Sequence, residues 1–323
     1  MPLHKGHMAL IEFARQRCDL LYVVLCHTKK EPIDGAIRAS WLNRSFAAQN
    51  NIKIINYEYD ESMLPNTSAS SMSASKLWAA AFKSILPEID VIFTSELYGD
   101  YLAQLLGAQH IPYDFNRVLV PVSATMIREQ PIANWDYIAD TARPYFVKKI
   151  LLAGTESTGK STLAKLLASH YLTTYVPEMA RRVIGKTSDC TPNDLETIAT
   201  LHAKAIETGL QTANKILFVD TDLITTCSYA RFLFGKDLVV PGWVEEANKF
   251  DLHLFLEPDC DYIQDGTRLS QEQRNALSDH HKEQYAKAGI RLISVNGNWH
   301  NRFLQARSEV ERFIFPKKSS NQN

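Results

Sequence analysis

The nonapeptide Gly154-Thr155-Glu156-Ser157-Thr158-Gly159-Lys160-Ser161-Thr162 constrains this chain more than any other stretch. An apolar run, Ile150-Leu151-Leu152-Ala153, precedes it, and Leu163-Ala164-Lys165-Leu166-Leu167-Ala168, of helical composition, follows it. Strand, glycine loop and helix in that order form the setting that a phosphate-binding P-loop needs. The glycines let the backbone curl until its N–H groups point at one centre. The new helix adds its unpaired N-terminal N–H groups and the positive end of its dipole. Lys160 is placed to reach the β- and γ-phosphates of ATP, and the Ser161 hydroxyl to ligate Mg²⁺.

The residues after the loop extend this reading. Lys215-Ile216-Leu217-Phe218-Val219-Asp220-Thr221-Asp222 is an apolar strand ending in carboxylates, the Walker B pattern. Asp220 is the candidate for holding Mg²⁺ or positioning a nucleophile, while Asp222 either binds substrate or caps the next helix. Glu178, Arg181 and Arg182 open a helix directly after the strand-like Tyr175-Val176. In an open α/β sheet that edge faces the ligand crevice, so Glu178 can accept from a sugar hydroxyl or be an ordinary charged helix start. Further on, Asp265-Gly266-Thr267-Arg268 and Arg274 place two arginines six apart behind a glycine turn. This reads as a mobile lid whose cations balance charge on a transferred phosphoryl group. Strands are expected over Phe250 to Leu256 and Arg291 to Val295, long helices over Pro192 to Asn214 and through Phe303, Val310 and Phe313, and a polar tail from Lys317.

The first half alternates short apolar runs with helical ones: Leu20 to Cys26, Ile52 to Ile55 and Ile89 to Thr94 as strands, and helices around Met8–Cys18, Ile37–Gln49, Ala74–Ser84 and Gly99–Leu106. That rhythm predicts a parallel sheet. Two motifs in it carry chemistry. His4-x-Gly6-His7 opens the first helix, with two imidazoles on one turn and a glycine that lets a phosphate approach the backbone. Val122-Ser123-Ala124-Thr125-Met126-Ile127-Arg128 supplies a helix cap from Ser123 or Thr125 and a guanidinium within the first turns, a second anion-binding arrangement.

These two motifs together resemble the nucleotidylyltransferase superfamily, which carries His-x-Gly-His early and (Ile/Val)-Ser-x-Thr-x-x-Arg late. In that superfamily a first strand and a Gly-x-Phe-x-Pro turn precede the histidines. Only Pro2 of that turn is present, so the first strand is expected to be missing from this half, as in a fragment or a damaged domain. The second half is similar to small-metabolite kinases of the P-loop type, in which the loop after the last strand, here Asn298-Trp299, borders the adenine. The combination resembles the NadR-type bifunctional proteins, which join nicotinamide-mononucleotide adenylyltransferase to ribosylnicotinamide kinase. Ile37-Arg38-x-x-Trp41-Leu42, the loop Gly154 to Leu163 and Asp265 to Arg268 carry that resemblance too.

The resemblance implies two doubly wound parallel-sheet α/β domains: a Rossmann-like nucleotidylyltransferase domain over 1–147, with a packed connector at 131–147, and a P-loop kinase domain over 148–323. It implies phosphorylation of ribosylnicotinamide by ATP, then adenylyl transfer from ATP to nicotinamide mononucleotide, giving NAD and pyrophosphate. His4, His7 and Arg128 would stabilise charge in the second reaction, with Gly6, Ser123 and Thr125 on the nucleotide. Arg38 would hold the mononucleotide phosphate, and Trp41 would stack on the ring or fill the core. Lys160, Asp220 and Arg268 would serve the first reaction, with Arg274, Asn298 and Trp299 on the nucleotide and Glu178, Arg181 and Asp222 on the acceptor. The alternative is a P-loop riboside kinase whose N-terminal domain is catalytically impaired and senses nucleotides.

Composition adds exclusions. A net charge of −1 argues against a large nucleic-acid face, and no helix-turn-helix segment is visible, so no DNA binding is expected from this chain. The five cysteines are odd in number and scattered, which argues against a disulfide framework or zinc site. No apolar stretch approaches a membrane span and no signal-peptide core is visible, so a cytoplasmic protein is expected. A homo-oligomer is left open.

Overall fold

The computed structural model describes residues 1–65, 71–184, 190–260 and 269–315. The chain divides into two compact units, Met1–Arg143 and Pro144–Asn323.

The first unit alternates helices and strands: α1 (Lys5–Arg15), β1 (Leu21–His27), α2 (Gly35–Ser45), β2 (Ile52–Glu58), α3 (Met72–Ile85), β3 (Val91–Thr94), α4 (Tyr98–Leu106), β4 (Gln109–Pro112) and α5 (Ala124–Glu129). Four of these five helix starts have a local cause. His4, Asp34, Ser71 and Ser123 cap α1, α2, α3 and α5 through side-chain acceptors. Gly107 ends α4 in the left-handed region, with φ at 75°. The strands are parallel, as the alternation predicts, but they form two separate pairs, β1 with β2 and β3 with β4. The sequence pattern missed β4, whose Gln-His-Ile-Pro run has no strand signature. After α5, Trp135 and Ile138 are buried within the first unit, and His4 bridges to Ile138.

The second unit opens at α6 (Arg143–Phe146), whose first residue closes the unit before it, and continues through β5 (Lys148–Ala153), α7 (Lys160–His170), β6 (Tyr175–Val176), α8 (Ala180–Val183) and α9 (Pro192–Thr212). Then come β7 (Ile216–Asp220), α10 (Leu223–Phe234), α11 (Gly242–Ala247), β8 (Leu252–Leu256), α12 (Gln271–Lys287), β9 (Ile293–Val295) and α13 (Trp299–Ile314). The strands form one parallel sheet in the order β6-β7-β5-β8-β9. Ile150 to Ala153, Leu217 to Val219 and Leu254 to Leu256 are fully buried, as expected of central strands covered on both faces. Leu151, Ala153 and Phe255 pack against Tyr285 of α12, while α7 and α13 pack together and against other strands of the sheet. Order reverses beside β5, so its carboxyl end, where the glycine loop begins, lies at a topological switch point.

Candidate active sites: a phosphate loop and a stacked histidine pair

In the second unit the loop after β5 is built for an anion. Gly154 and Gly159 have φ of 135° and 85°, and a Cβ on Gly154 would lie 2.7 Å from the Leu256 carbonyl oxygen. Only glycine fits there without strain. Thr158 Oγ1 and Lys160 Nζ each donate to the Thr155 carbonyl at 2.8 Å, which holds the curl closed. Thr155 Oγ1 is buried without a partner among the described residues. Ser161 Oγ donates to Asp220 Oδ2 at 2.5 Å, joining the first turn of α7 to the end of β7. This oxygen pair, beside a ring of backbone N–H groups, suits Mg²⁺, which takes few protein ligands and completes its shell with water and phosphate oxygens. No cluster of three His, Cys, Asp or Glu side chains placed to hold a metal exists among the described residues.

Around this loop lie groups that sequence reasoning did not single out. Arg302 of α13 is buried and donates to the carbonyls of Thr158 at 3.0 Å, Glu257 at 2.9 Å and Gly297 at 2.7 Å, and it pairs with Asp259. Tyr229 lies within electrostatic reach of Glu156 and Glu178, and its ring is 5.1 Å from that of His281. Burial, reinforced by the Lys160 charge, pushes His281 down to about 3, so it is neutral. Its Nδ1 contacts Ser228 Oγ at 2.6 Å, and Ser228 also contacts His280 Nδ1 at 2.7 Å. Contacts between α10 and α12 cannot be read from local spacing.

The structure gives several of the expected residues definite partners. Asp222 is buried and takes the second of its two expected roles, capping α10 through Thr225 N at 2.9 Å, and it accepts from Tyr285 Oη at 2.6 Å. Burial raises its pKa, against these hydrogen bonds. Arg274 is 1% exposed and donates to the Pro258 carbonyl at 2.9 Å, which makes it an anchor and not a solvent-facing lid cation. Asn298 caps α13 through Asn301 N at 2.9 Å. Trp299 is more than half exposed, and its ring lies where a Cβ on Gly159 would sit, 2.0 Å away, so it shelters the loop. Glu156 accepts from Leu269 N at 2.6 Å. Thr162 is exposed on α7, and Glu178 is half-buried just before α8. The Arg181 side chain and residues 261–268, Arg268 among them, lie outside the described residues.

In the first unit, the rings of His4 and His7 stack at 3.7 Å. His4 Nδ1 accepts from Gly6 N at 3.1 Å and His7 N at 3.4 Å, so a neutral His4 carries its proton on Nε2. Burial lowers His4 to about 4, with the charges of Arg117 and the N-terminus adding to the effect. His7 is also held well below its ordinary value by burial, then by His4, the N-terminus, Arg38 and Arg117. Arg128 donates to Thr125 Oγ1 at 2.9 Å and to the Met1 sulfur at 2.6 Å, while Ser123 serves as the helix cap through Met126 N at 3.2 Å. The result is a cationic neighbourhood of Arg38 and Arg117 around two neutral imidazoles, with Arg128 beside Met1. Arg38 pairs with Glu31, which also accepts from the Met1 amino group at 3.2 Å, and Arg38 Nε is buried without a partner among the described residues. Arg38 therefore reaches an anion only beside a carboxylate that the motif did not predict. Trp41 is 3% exposed and is a core side chain, which leaves no open ring face for stacking.

Comparison with known proteins matches this arrangement end to end. The Trifunctional NAD biosynthesis/regulator protein NadR of Salmonella typhimurium (strain LT2) is 29% identical over 339 aligned positions, covering 97% of this chain and 81% of that protein. A crystal structure of NadR protein in complex with NR superposes with a TM-score of 0.78 at 22% identity, covering 98% of this chain and 94% of that one. The chain is similar to NadR over almost its whole length and shares its fold. A second NadR crystal structure, in complex with NAD and AMP-PNP, gives a TM-score of 0.76 over 97% of this chain and 93% of that one, at 22% identity. The NadR-type fold accounts for both units. Residues 149–302 also match a family model described as an AAA domain, which covers the P-loop and the Walker B strand.

Proposed function

We propose that this chain is a bifunctional enzyme of NAD biosynthesis. The second unit phosphorylates ribosylnicotinamide with ATP, and the first transfers adenylyl from ATP to nicotinamide mononucleotide, giving NAD. The observation that carries the reading is the pairing, in one chain similar to NadR, of the Ser161–Asp220 contact behind the P-loop with the stacked His4–His7 pair near Arg38 and Arg117.

In the kinase unit the backbone from Gly154 to Ser161 cradles the phosphates, and Lys160 turns from the Thr155 carbonyl to the β- and γ-oxygens. Bound Mg²⁺ would neutralise phosphate charge there, held by Ser161 and Asp220. That duty occupies Asp220, so Glu178, beside Tyr229, is the carboxylate that orients the neutral 5′-hydroxyl and takes its proton. Neutral His281 offers a hydrogen bond without adding charge.

Adenylyl transfer has different demands. Its nucleophile is a phosphate and is already anionic, so no general base is needed. His4 donates from Nε2, and Arg38, Arg117 and Arg128 supply the positive charge as pyrophosphate leaves. Incubation with ATP, Mg²⁺ and ribosylnicotinamide, following nicotinamide mononucleotide and NAD together, tests both halves: formation of both supports the reading, and formation of neither overturns it. A second reading has one observation in its favour. The strands of the first unit form two separate pairs, and accumulation of the mononucleotide alone would identify a kinase with an impaired first unit.

A further inference from the structure

A row of polar side chains crosses the interface of α10 and α12 and ends on a buried imidazole nitrogen. Its outer end is the exposed ion pair of Arg231 with Asp237, at 2.5 Å. Arg231 also donates to Gln284 Oε1. Gln284 Nε2 lies 3.3 Å from His280 Nε2, and His280 Nδ1 lies 2.7 Å from Ser228 Oγ. Ser228 Oγ lies 2.6 Å from His281 Nδ1. His281 Nε2, at the inner end, is buried without a partner among the described residues.

Each contact fixes the sense of the next. A guanidinium has donors only, so the Gln284 oxygen faces Arg231 and its amide nitrogen faces His280. That nitrogen also only donates, so His280 Nε2 accepts, and His280 carries its proton on Nδ1. Ser228 Oγ accepts this proton's bond. The Ser228 hydroxyl has one hydrogen and no other acceptor among the described residues, so it donates to His281 Nδ1. His281 is held neutral by burial and by the Lys160 charge, and its proton is therefore on Nε2.

The two ring nitrogens lie on different sides of the imidazole, so this N–H points away from Ser228. The neighbours of His281 belong to the kinase site. Lys160 is the leading charge acting on it, and the Tyr229 ring, 5.1 Å away, is within electrostatic reach of Glu156 and Glu178. Ser278 Oγ, one turn earlier on the same face of α12, is also buried without a partner among the described residues. Buried donors without acceptors are unfavourable, which points to an oxygen supplied by a bound molecule. The other tautomer would present a lone pair to that oxygen, so the position of one proton separates attraction from repulsion.

We propose that His281 donates from Nε2 to an oxygen of bound substrate in the kinase unit, and that Arg231, Gln284, His280 and Ser228 are positioning residues that set its tautomer. The oxygen belongs to the phosphates of the nucleotide or to the sugar of the riboside. The proposal rests on the kinase reading of this unit and adds the donating atom and the residues that orient it.

The test labels the histidines of the full chain with ¹⁵N and reads their tautomers by NMR, with the His281 signals identified by their loss in His281→Asn. The expected result is a protonated Nε2 and an unprotonated Nδ1. Ser228→Ala should give a mixture of tautomers. Arg231→Met, on the surface, should do the same, while Arg231→Lys, which keeps a donor for Gln284, should retain the single form. Titration calorimetry with ATP and Mg²⁺, and separately with ribosylnicotinamide, finds the oxygen. His281→Leu should weaken one of the two by roughly tenfold, and His281→Asn, which keeps a donor, by less. Weaker ATP binding assigns the oxygen to the nucleotide, and weaker riboside binding assigns it to the sugar. Neither readout needs turnover, so a chain that binds ATP as expected and shows the expected tautomer, yet does not phosphorylate ribosylnicotinamide, supports the donor and refutes the acceptor assignment. The proposal is overturned if His281 is protonated on Nδ1 or on both nitrogens, or if Ser228→Ala leaves its tautomer unchanged. Unchanged affinity for both ligands in His281→Leu and His281→Asn also overturns it.

Discussion

Arg302 Nη1 donates to the Thr158 carbonyl at 3.0 Å, tying α13 to the P-loop from 144 positions away. The same guanidinium holds the carbonyls of Glu257 and Gly297, so one buried cation fixes the ends of β8 and β9 against the phosphate loop. Arg302→Met leaves three carbonyls and Asp259 without it. A loss of about 3 kcal/mol is expected, because buried acceptors are stripped of their donor. Chemical denaturation measures it, and the KM for ATP in the kinase reaction should rise more than kcat falls.

Lys160→Ala and Ser161→Ala should abolish mononucleotide formation, by roughly 1,000-fold or more for Lys160, since catalysis of phosphoryl transfer rests on positioning and charge. Adenylyl transfer from supplied nicotinamide mononucleotide should be unchanged. Assaying the two half-reactions separately decides the matter, and parallel losses would refute two independent sites.

Gly159→Ala meets two obstacles. Its φ of 85° disfavours any side chain, and the new Cβ would lie 2.0 Å from the Trp299 ring. The backbone term costs about 1–2 kcal/mol. ATP binding, read by titration calorimetry, should weaken at least tenfold. Adding Trp299→Ala should recover part of the loss, because it removes the clash and leaves the φ strain.

Acid should destabilise the kinase unit through buried histidines. His202 is held down to about 4 and His281 to about 3, both by burial first. The unfolded chain binds these protons below pH 6.5 and the folded unit does not, so stability falls as pH drops from about 6.5 toward 4. Each group contributes up to ~3 kcal/mol over that window. Denaturation midpoints from pH 7.5 to 4.5 should show this slope, and His202→Gln should flatten it.

The adenylyl-transfer rate should be level from pH 6 to 8 in the free enzyme's histidine contribution, since His4 sits near 4 and His7 is also depressed. His4→Asn, which keeps a donor, should retain more activity than His4→Ala in kcat/KM for ATP. A pH profile with an inflection at 6.5 would contradict the neutral pair.

Both chemical centres were legible because their geometry is local. Gly154 to Thr162 places its N–H groups through its own dihedral angles, and His4 to His7 span a single helical turn. Ser123 was readable as a cap for the same reason. Ambiguity remained where one residue admits several environments. Asp222, Arg274 and Asn298 have the chemistry of ligand contacts, yet each is engaged by Tyr285, Pro258 or Asn301, partners set by helix packing or capping. Residues that need distant partners to have meaning, such as Arg302, Tyr229 and His281, gave no signal in their own neighbourhoods.

By itself the sequence determined the alternation of strands and helices, the phosphate loop with its Walker B strand, and two histidines on one helical turn, because periodicity, glycine and helix capping act over a few residues. Tertiary structure alone decided which charges are buried, as Arg274 and Arg302 are, and that the strands of the first unit form two separate pairs. Desolvation and pairing depend on what lies across the fold, and no local pattern encodes that.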